Sequence, residues 1–395
     1  MLETVATTPQ IEGTIMLKFS VPQNIIVDYG GVSRLGTYAG ELKMTNTLII
    51  ADPFLADAPL AKQATGSLDE AGIKHVMFTD VKPNPTAVCV DEAVTLFKDN
   101  GCDSIIAIGG GSSLDVAKAV GVVAKFGGEI GDYEGMNTVP GPIVPFIAIP
   151  TTAGTGSEVT SFSVITDEAR NYKLTVGSKL LLPAYAILDP GVLATVPPRV
   201  AAACGTDAMV HAIESFTNTV DSTFSGMYSL EALRLIGKYL KRFTARRDDA
   251  EAARGMMVAA TMAGIAFEST RLGLVHAMSH PISAFFHVAH GEANGLLLPS
   301  VLEFNALADK GQYELMHEAL FPDVEYDGTD DFIYEIRSLL GEIGIPDSLE
   351  AAGVDRPAFL AVVDRMTRDA MASGNIAVNP RTVTPADVEA IYKAL

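Results

Sequence analysis

Five short β-rich runs, at Thr47–Ala51, His75–Phe78, Ser104–Ile108, Pro145–Ile149 and Ala186–Leu188, constrain the first half of the chain more than any other feature. Asp, Gly or Pro bounds most of them. Amphipathic stretches of helical length, Leu60–Ala71 and Ala87–Asn100, separate the first three. Strands about 30 residues apart with helices between them are βαβ units, so the spacing predicts a mostly parallel sheet. Right-handed crossovers then put ligand sites at the carboxyl ends of the strands. Those ends are Ala51-Asp52, Thr79-Asp80, Gly109-Gly110 and Thr151-Thr152.

The pattern stops at Pro197-Pro198. From Arg199 onward alternating runs are scarce and helical periodicity dominates, as in Ala208–Phe216, Ser225–Phe243, Glu251–Glu268 and Val275–Phe286. The two prolines suit a linker passing into a first helical turn. The expected organisation is an α/β domain over residues 1–197 and an all-helical domain over 198–395. A chain of 395 residues is long enough for both.

Composition narrows the function. Lys and Arg number 28 against 48 Asp and Glu, a net charge of −20, and so acidic a surface repels nucleic acid. Apolar runs such as Val144–Pro150 are too short to span a membrane. Met1–Ile11 has no basic segment leading into an apolar core, so no secretory leader is expected. Three widely spaced cysteines (Cys89, Cys102 and Cys204) suit a reducing compartment, and a cytoplasmic enzyme is expected.

After the strand Ser104–Ile108 come Gly109, Gly110, Gly111 and Ser112, and a helix starting at Ser112. Glycines let a backbone approach an anion closely, and a helix N-terminus offers unpaired N–H groups. A pyrophosphate fits that description; a tight turn holding no ligand is the alternative. The spacing matches neither the usual dinucleotide fingerprint nor a P-loop. A second loop, Thr151-Thr152-Ala153-Gly154-Thr155-Gly156, follows the run Pro145–Ile149 and adds hydroxyls and free amides at the same sheet edge. Asp52 is placed to accept hydrogen bonds from an adenosine ribose and to repel a 2′-phosphate, which favours NAD over NADP. A plain turn or capping role competes for that residue.

Four of the seven histidines, His276, His280, His287 and His290, lie within fifteen residues. Asp207 and His211 are spaced i, i+4, as are His276 and His280, so each pair shares one helix face. His290 can close a site from the end of the second helix. One carboxylate and three imidazoles suit a divalent ion such as Fe²⁺ or Zn²⁺. Burying Asp207, His211, His276 and His290 in Ala/Met/Leu helices without a shared partner is costly, and a metal resolves that cost. His287 is expected beside the site. His75 and His317 are expected to be hydrogen-bonded core or capping residues.

With these features together the sequence resembles the iron-containing (group III) alcohol dehydrogenases over nearly its whole length. The matching runs are Pro83-Asn84-Pro85-Thr86, Gly109-Gly110-Gly111-Ser112 with Asp115 and Lys118, and Pro150 to Glu158. They continue with Gly205-Thr206-Asp207-Ala208 to His211, Gly273 to His276 and His280-Pro281, His290-Gly291 with Asn294, and Asn379-Pro380-Arg381. The resemblance implies a Rossmann-like N-terminal domain and a helical C-terminal domain of the dehydroquinate synthase-like kind, with the site in the cleft. It assigns Asp207, His211, His276 and His290 to the metal. To the cofactor it gives Asp52, Asn84, Gly109, Gly110, Gly111, Ser112, Asp115, Thr151, Thr152, Thr155 and Lys173. His280 becomes the non-ligand histidine beside the nicotinamide, in a catalytic group with His276 and His290. Three departures touch no ligand: Ala289 where a proline is common, Phe162 where relatives have a smaller or polar residue, and Arg271 in a stretch normally neutral.

The implied reaction is reversible hydride transfer between a primary alcohol and NAD, with the metal as Lewis acid. Phe162, Phe267 and Leu272, with His280, suggest an apolar pocket for small aliphatic substrates. Arg271 permits an alternative, an aldehyde with a carboxylate, sulfonate or phosphonate tail, against the plainer role of a surface arginine. A cyclase of the dehydroquinate synthase type needs clustered Lys and Arg, and Val275–Gly295 has none. A metal hydrolase or oxygenase leaves the glycine and threonine loops without a use, and a protein in which metal only staples the helical domain is told apart by NADH absorbance on adding alcohol and NAD⁺. The ligand set accepts Fe²⁺ and Zn²⁺ alike. Relatives commonly dimerise, so a homodimer is expected.

Overall fold

The computed structural model describes residues 19, 21, 24–168, 170, 172–220 and 222–395; Met1–Ile11 falls outside them. Among the described residues the strands are β1 (Asn24–Val27), β2 (Asn46–Ala51), β3 (Lys74–Phe78), β4 (Ser104–Gly109), β5 (Gly135–Met136), β6 (Phe146–Pro150), β7 (Phe162–Asp167), β8 (Tyr172–Gly177) and β9 (Tyr185–Leu188). Six form one sheet in the order β1-β9-β6-β4-β2-β3, with every pairing parallel. The helices α1 (Leu35–Glu41), α2 (Pro59–Glu70), α3 (Ala87–Asp99) and α4 (Gly111–Phe126) belong to this half.

The strands are apolar on both faces because helices cover both faces. Along β4, Ile105 and Ala107 join the core beneath α3 and α4, with Val90, Val94 and Leu114. Ile106 and Ile108 point the other way, into the core shared with Leu35 of α1 and Leu68 of α2. That period of two is the strand geometry itself. The chain leaves β2 for β3 on one side, then returns through α3 to β4 on the other. A reversal of this kind opens a crevice at the carboxyl ends of the two strands, here between Asp52 and Gly109.

Two features were not anticipated. Strand β1 adds an edge to the sheet beside β9, with Asn24 opposite Tyr185. A small second sheet, β5-β8-β7, is built on an antiparallel hairpin that sets Thr166 opposite Lys173.

After β9 the chain is helical: α5 (Pro198–Thr217), α6 (Thr223–Ala245), α7 (Ala250–Thr270), α8 (Leu274–Phe286), α9 (His290–Asn305), α10 (Gln312–Leu320), α11 (Thr329–Glu342), α12 (Arg356–Met371) and α13 (Pro385–Ala394). Pro198 occupies the first turn of α5, where its missing N–H costs nothing. Met209, Ile213, Leu233, Met256, Leu298, Phe332 and Tyr392 share one core. No described helix is long and apolar enough to cross a membrane.

The halves meet through close backbone contacts and buried polar groups. Gly156, at φ +64°, lies so near α7 that a Cβ there would meet Gly264 Cα at 2.7 Å. Thr261 Oγ1 donates to Glu158 Oε1 (2.7 Å), and burial raises the Glu158 pKa. Glu268 of α7 accepts from the Ser161 N–H (2.8 Å), the Ser161 hydroxyl (2.6 Å) and Lys179 Nζ (2.6 Å).

Candidate active site

The crevice between β2 and β4 is closed at its base by Asp52. Its Oδ2 accepts from the Gly110 N–H (3.1 Å) and its Oδ1 from the Ser113 hydroxyl (2.7 Å), which pins the glycine loop. Burial raises its pKa, against these two hydrogen bonds. Gly109 is obligatory, since a Cβ would sit 2.6 Å from Ser113 and 2.8 Å from Asp52 Oδ2. Gly111 is nearly as tight, at 3.0 Å from Thr155. Gly110 differs: a Cβ there meets Thr152 no closer than 3.6 Å, so protein neighbours do not demand a glycine. Helix α4 has no side-chain cap at its N-terminus. An uncapped helix end, with Ser112 half-buried beside it, suits a phosphate group. Thr151 donates its N–H to the Gly109 carbonyl (3.0 Å), and its buried Oγ1 has no hydrogen-bond partner.

Across the cleft, α5, α8 and α9 bring four side chains to one point. Nε2 of His211, of His276 and of His290 each lies 3.5 Å from Asp207 Oδ1. For metal–ligand bonds of about 2.1 Å, neighbouring corners of a tetrahedron are about 3.4 Å apart. The donor atoms of Asp207, His276 and His290 all lie within 4.8 Å of one another. These three fit a divalent ion, whereas His211 lies outside that group and approaches it through Asp207. Side-chain exposure is 5% for Asp207 and His211, 1% for His276 and 36% for His290, so the cluster is reached from the His290 side.

The electrostatics follow from that burial. Burial pulls His211 down to about 4 and His290 to about 3, leaving both neutral and able to ligate. His276 is pulled the same way, but Glu214 at Nδ1 and the Asp207 hydrogen bond outweigh burial and push it up to about 9. Asp207 is held well below the usual carboxylate range; burial raises it, and the surrounding histidines more than reverse that. His280 is lowered well below 6.5, first by burial and then by His290. Its ring stacks on His290 at 5.2 Å and meets His276 edge-on at 6.1 Å.

Two residues of this cluster carry roles that residue-level reading missed. Glu214 Oε2 is 2.6 Å from His276 Nδ1. Asn294 Nδ2 donates to Asp207 Oδ1 (2.8 Å) and lies 3.2 Å from His276 Nε2 and 3.4 Å from His290 Nε2. The Asn294 Oδ1 is buried without a partner. Spacing carried a signal for both: Glu214 is i+3 from His211 on α5, and Asn294 is i+4 from His290 on α9.

The other expected residues divide. Lys173 Nζ donates to Asn84 Oδ1 (2.8 Å), and its charge reaches His280 and His290, so this pair borders the cleft. Asp115 is engaged within the protein: Oδ1 accepts from the Ser157 hydroxyl (2.8 Å) and Oδ2 from the Val164 N–H (3.1 Å), bracing α4 against β7. Beside it the fully buried Lys118 donates to the Ser157 and Phe162 carbonyls (2.7 and 2.8 Å). Phe267 lies 4.5 Å from the His211 ring and forms one wall of the metal cluster. Leu272 is buried next to α8. The Phe162 ring packs over Gly177 in the second sheet. Arg271 Nη1 donates to the Gly374 carbonyl (3.3 Å), a loop-bracing contact that leaves the anionic-tail alternative without support. His287 is exposed and ends α8. His75 pairs with Asp69 (3.1 Å). His317 corrects the expectation of a hydrogen bond: both ring nitrogens are buried without a partner, and the ring is enclosed by Phe321, Tyr326 and Phe332.

Comparison with known proteins agrees with this geometry. Residues 22–190 match the family described as iron-containing alcohol dehydrogenase, and residues 201–395 match the C-terminal part of the same family. The chain is 35% identical over 382 residues to an NAD-dependent methanol dehydrogenase of Bacillus methanolicus, covering 96% of this chain and 99% of that one. Its structure is similar to that of an alcohol dehydrogenase from Oenococcus oeni, with TM-score 0.92, 31% identity, and coverage of 96% and 100%. It is also similar to a sulfoacetaldehyde reductase from Bifidobacterium kashiwanohense solved with NAD⁺, with TM-score 0.88, 28% identity, and coverage of 96% and 99%. The chain belongs to the iron-containing alcohol dehydrogenase family and is an oxidoreductase of that type.

Proposed function

We propose that this chain interconverts small primary alcohols and their aldehydes with NAD, at the cleft where the histidine cluster faces the glycine loop. The observation that carries the reading is the convergence of three imidazole nitrogens at 3.5 Å from one Asp207 oxygen. Residues 1–197 act as the dinucleotide-binding unit and residues 198–395 as the metal-binding unit. Asp207, His211, His276 and His290 hold the ion, Fe²⁺ or Zn²⁺. When bound, the ion supplies Lewis acidity at the alcohol oxygen and NAD supplies the hydride acceptor.

The chain's own residues set the rest. Gly109, Gly110, Gly111 and Ser112 at the α4 N-terminus receive the pyrophosphate, with Thr151, Thr152 and Thr155 on its other side. Asp52 keeps a negative charge where a 2′-phosphate would sit, which favours NAD. Asn84 and Lys173 border the nicotinamide end. Phe267 and Leu272 exclude water around the reacting carbon, and Phe162 limits the pocket further out. His280, kept neutral by burial, accepts the hydroxyl proton on a ring nitrogen and passes it outward. A homodimer working in the cytoplasm completes the reading, supported by the family resemblance and by three free cysteines.

The test is NADH formation, read by absorbance, when metal-loaded protein is mixed with NAD⁺ and a series of aliphatic alcohols. Turnover with primary alcohols that disappears on metal removal supports the reading. Absence of turnover with alcohols and with the matching aldehydes plus NADH refutes it.

A further inference from the structure

Helix α8, which carries His276 and His280, begins at Gly273 with no side-chain cap of its own. Its first free amides are capped from elsewhere. The Leu274 N–H reaches Asn379 Oδ1 (3.3 Å), and the Val275 N–H reaches Glu214 Oε1 (2.6 Å). The other oxygen of the same Glu214 carboxylate is the one 2.6 Å from His276 Nδ1. Gly273 makes room for this: a Cβ there would lie 2.8 Å from Glu214 Oε1. One buried carboxylate therefore grips both the start of the helix and the ring of the first histidine on it.

We propose that Glu214 is a positioning residue for the metal centre, acting through His276 by holding a proton on Nδ1 so that Nε2 is the nitrogen offered to the ion. The inference rests on the metal reading above. A carboxylate has no proton to donate, so the bond at 2.6 Å requires Nδ1 to carry the hydrogen. Nε2, which faces Asp207 Oδ1 at 3.5 Å, is then the nitrogen that gives up its proton when an ion binds. Fixing the remote nitrogen of a ligating histidine sets its tautomer, ring orientation and basicity. The Val275 bond adds axial control, because the same carboxylate fixes where the helix starts and hence the height of His276 above Asp207.

The rival account is that Glu214 only caps the helix, and Asn379 supplies the control for it. Metal-free native protein, Glu214→Gln and Asn379→Ala are titrated with Zn²⁺ in competition with a chelator, and the Tm of each metal-free protein is recorded. In Glu214→Gln the amide keeps an oxygen for the Val275 N–H but turns an NH₂ towards Nδ1, which drives the ring proton to Nε2. Zinc affinity is expected to fall about 10–100-fold. In Asn379→Ala the Tm is expected to fall with affinity unchanged. Native affinity in Glu214→Gln overturns the proposal, whereas failure of the native protein to bind zinc overturns the metal reading instead. If Glu214→Gln does not fold, nitrogen-15 histidine spectra of the zinc-loaded native protein decide: a slowly exchanging proton on His276 Nδ1 supports the proposal, and an unprotonated Nδ1 refutes it.

Discussion

Gly154, in the loop after β6, lies directly on Cys204 of α5: a Cβ at Gly154 would meet the Cys204 Cβ and carbonyl at 2.7 Å. Cys204 is one helical turn ahead of Asp207. The loop that faces Gly110 is thus set directly against the helix that carries Asp207 and His211. Gly156 against Gly264 repeats the arrangement on α7. The position of this loop relative to α5 and α7 is set by close contacts at two glycines.

Gly154→Ala tests that joint. Overpacking costs about 1–3 kcal/mol, so the Tm is expected to fall. Displacement of the loop also raises KM for NAD while metal content stays at the native level. An unchanged KM for NAD would show that the loop position does not matter to the cofactor.

Asp52 ties the glycine loop, and in the proposed function it also repels a 2′-phosphate; Asp52→Asn separates the two. Asparagine retains an acceptor for one of the two donors, Gly110 or Ser113, at a cost of about 1 kcal/mol. Loss of the charge is expected to raise the NADP-to-NAD ratio of kcat/KM by about tenfold, equivalent to about 1.4 kcal/mol. A ratio equal to that of the native protein removes Asp52 from cofactor selection.

His280→Ala is expected to lower kcat by about 100-fold with metal content full, the usual scale for loss of a general acid–base group. Added imidazole should restore part of the rate. Because burial keeps His280 well below 6.5, the native kcat profile should show no His280 limb near neutrality. Native kcat in the variant contradicts the proton-transfer role.

Acid should destabilise the metal-free protein early. His211 and His290 fold with pKa values of about 4 and 3, against 6.5 when unfolded, and His280 is also lowered. The unfolded chain therefore binds more protons, and stability falls as pH drops below 6.5, with His211 contributing most because the His290 side chain is partly exposed. His276, raised to about 9 between Glu214 and Asp207, opposes this: its contribution is present below 6.5 and is lost as pH rises through 9. Denaturant titrations at pH 7, 6 and 5 check the sign. Constant or rising stability across that range would mean that His211 is not held neutral in the folded protein.

How much of this could be read from the sequence depended on whether a feature was local. β2, β3, β4, β6 and β9 were visible because each is a continuous apolar run bounded by turn residues. β1 is only four residues, and its place comes from pairing with β9, some 160 positions away. The hairpin of β7 and β8 has serine at the buried position 163 and lysine at 173, so it does not read as a buried strand pair. At the site, i, i+4 spacing was enough to align Asp207 with His211. That Asp52 reaches Gly110, or Glu214 reaches the start of α8, depends on lateral packing between elements far apart in the chain, for which the sequence has no period.

Direct metal analysis tests whether Asp207, His211, His276 and His290 hold a divalent ion. Metal-stripped protein, native and Asp207→Ala, is dialysed against equimolar Fe²⁺ and Zn²⁺ in turn under anaerobic conditions, then analysed for bound metal. One ion per chain is expected in the native protein and almost none in Asp207→Ala. Equal loading of the two proteins, or no loading of either, would contradict it.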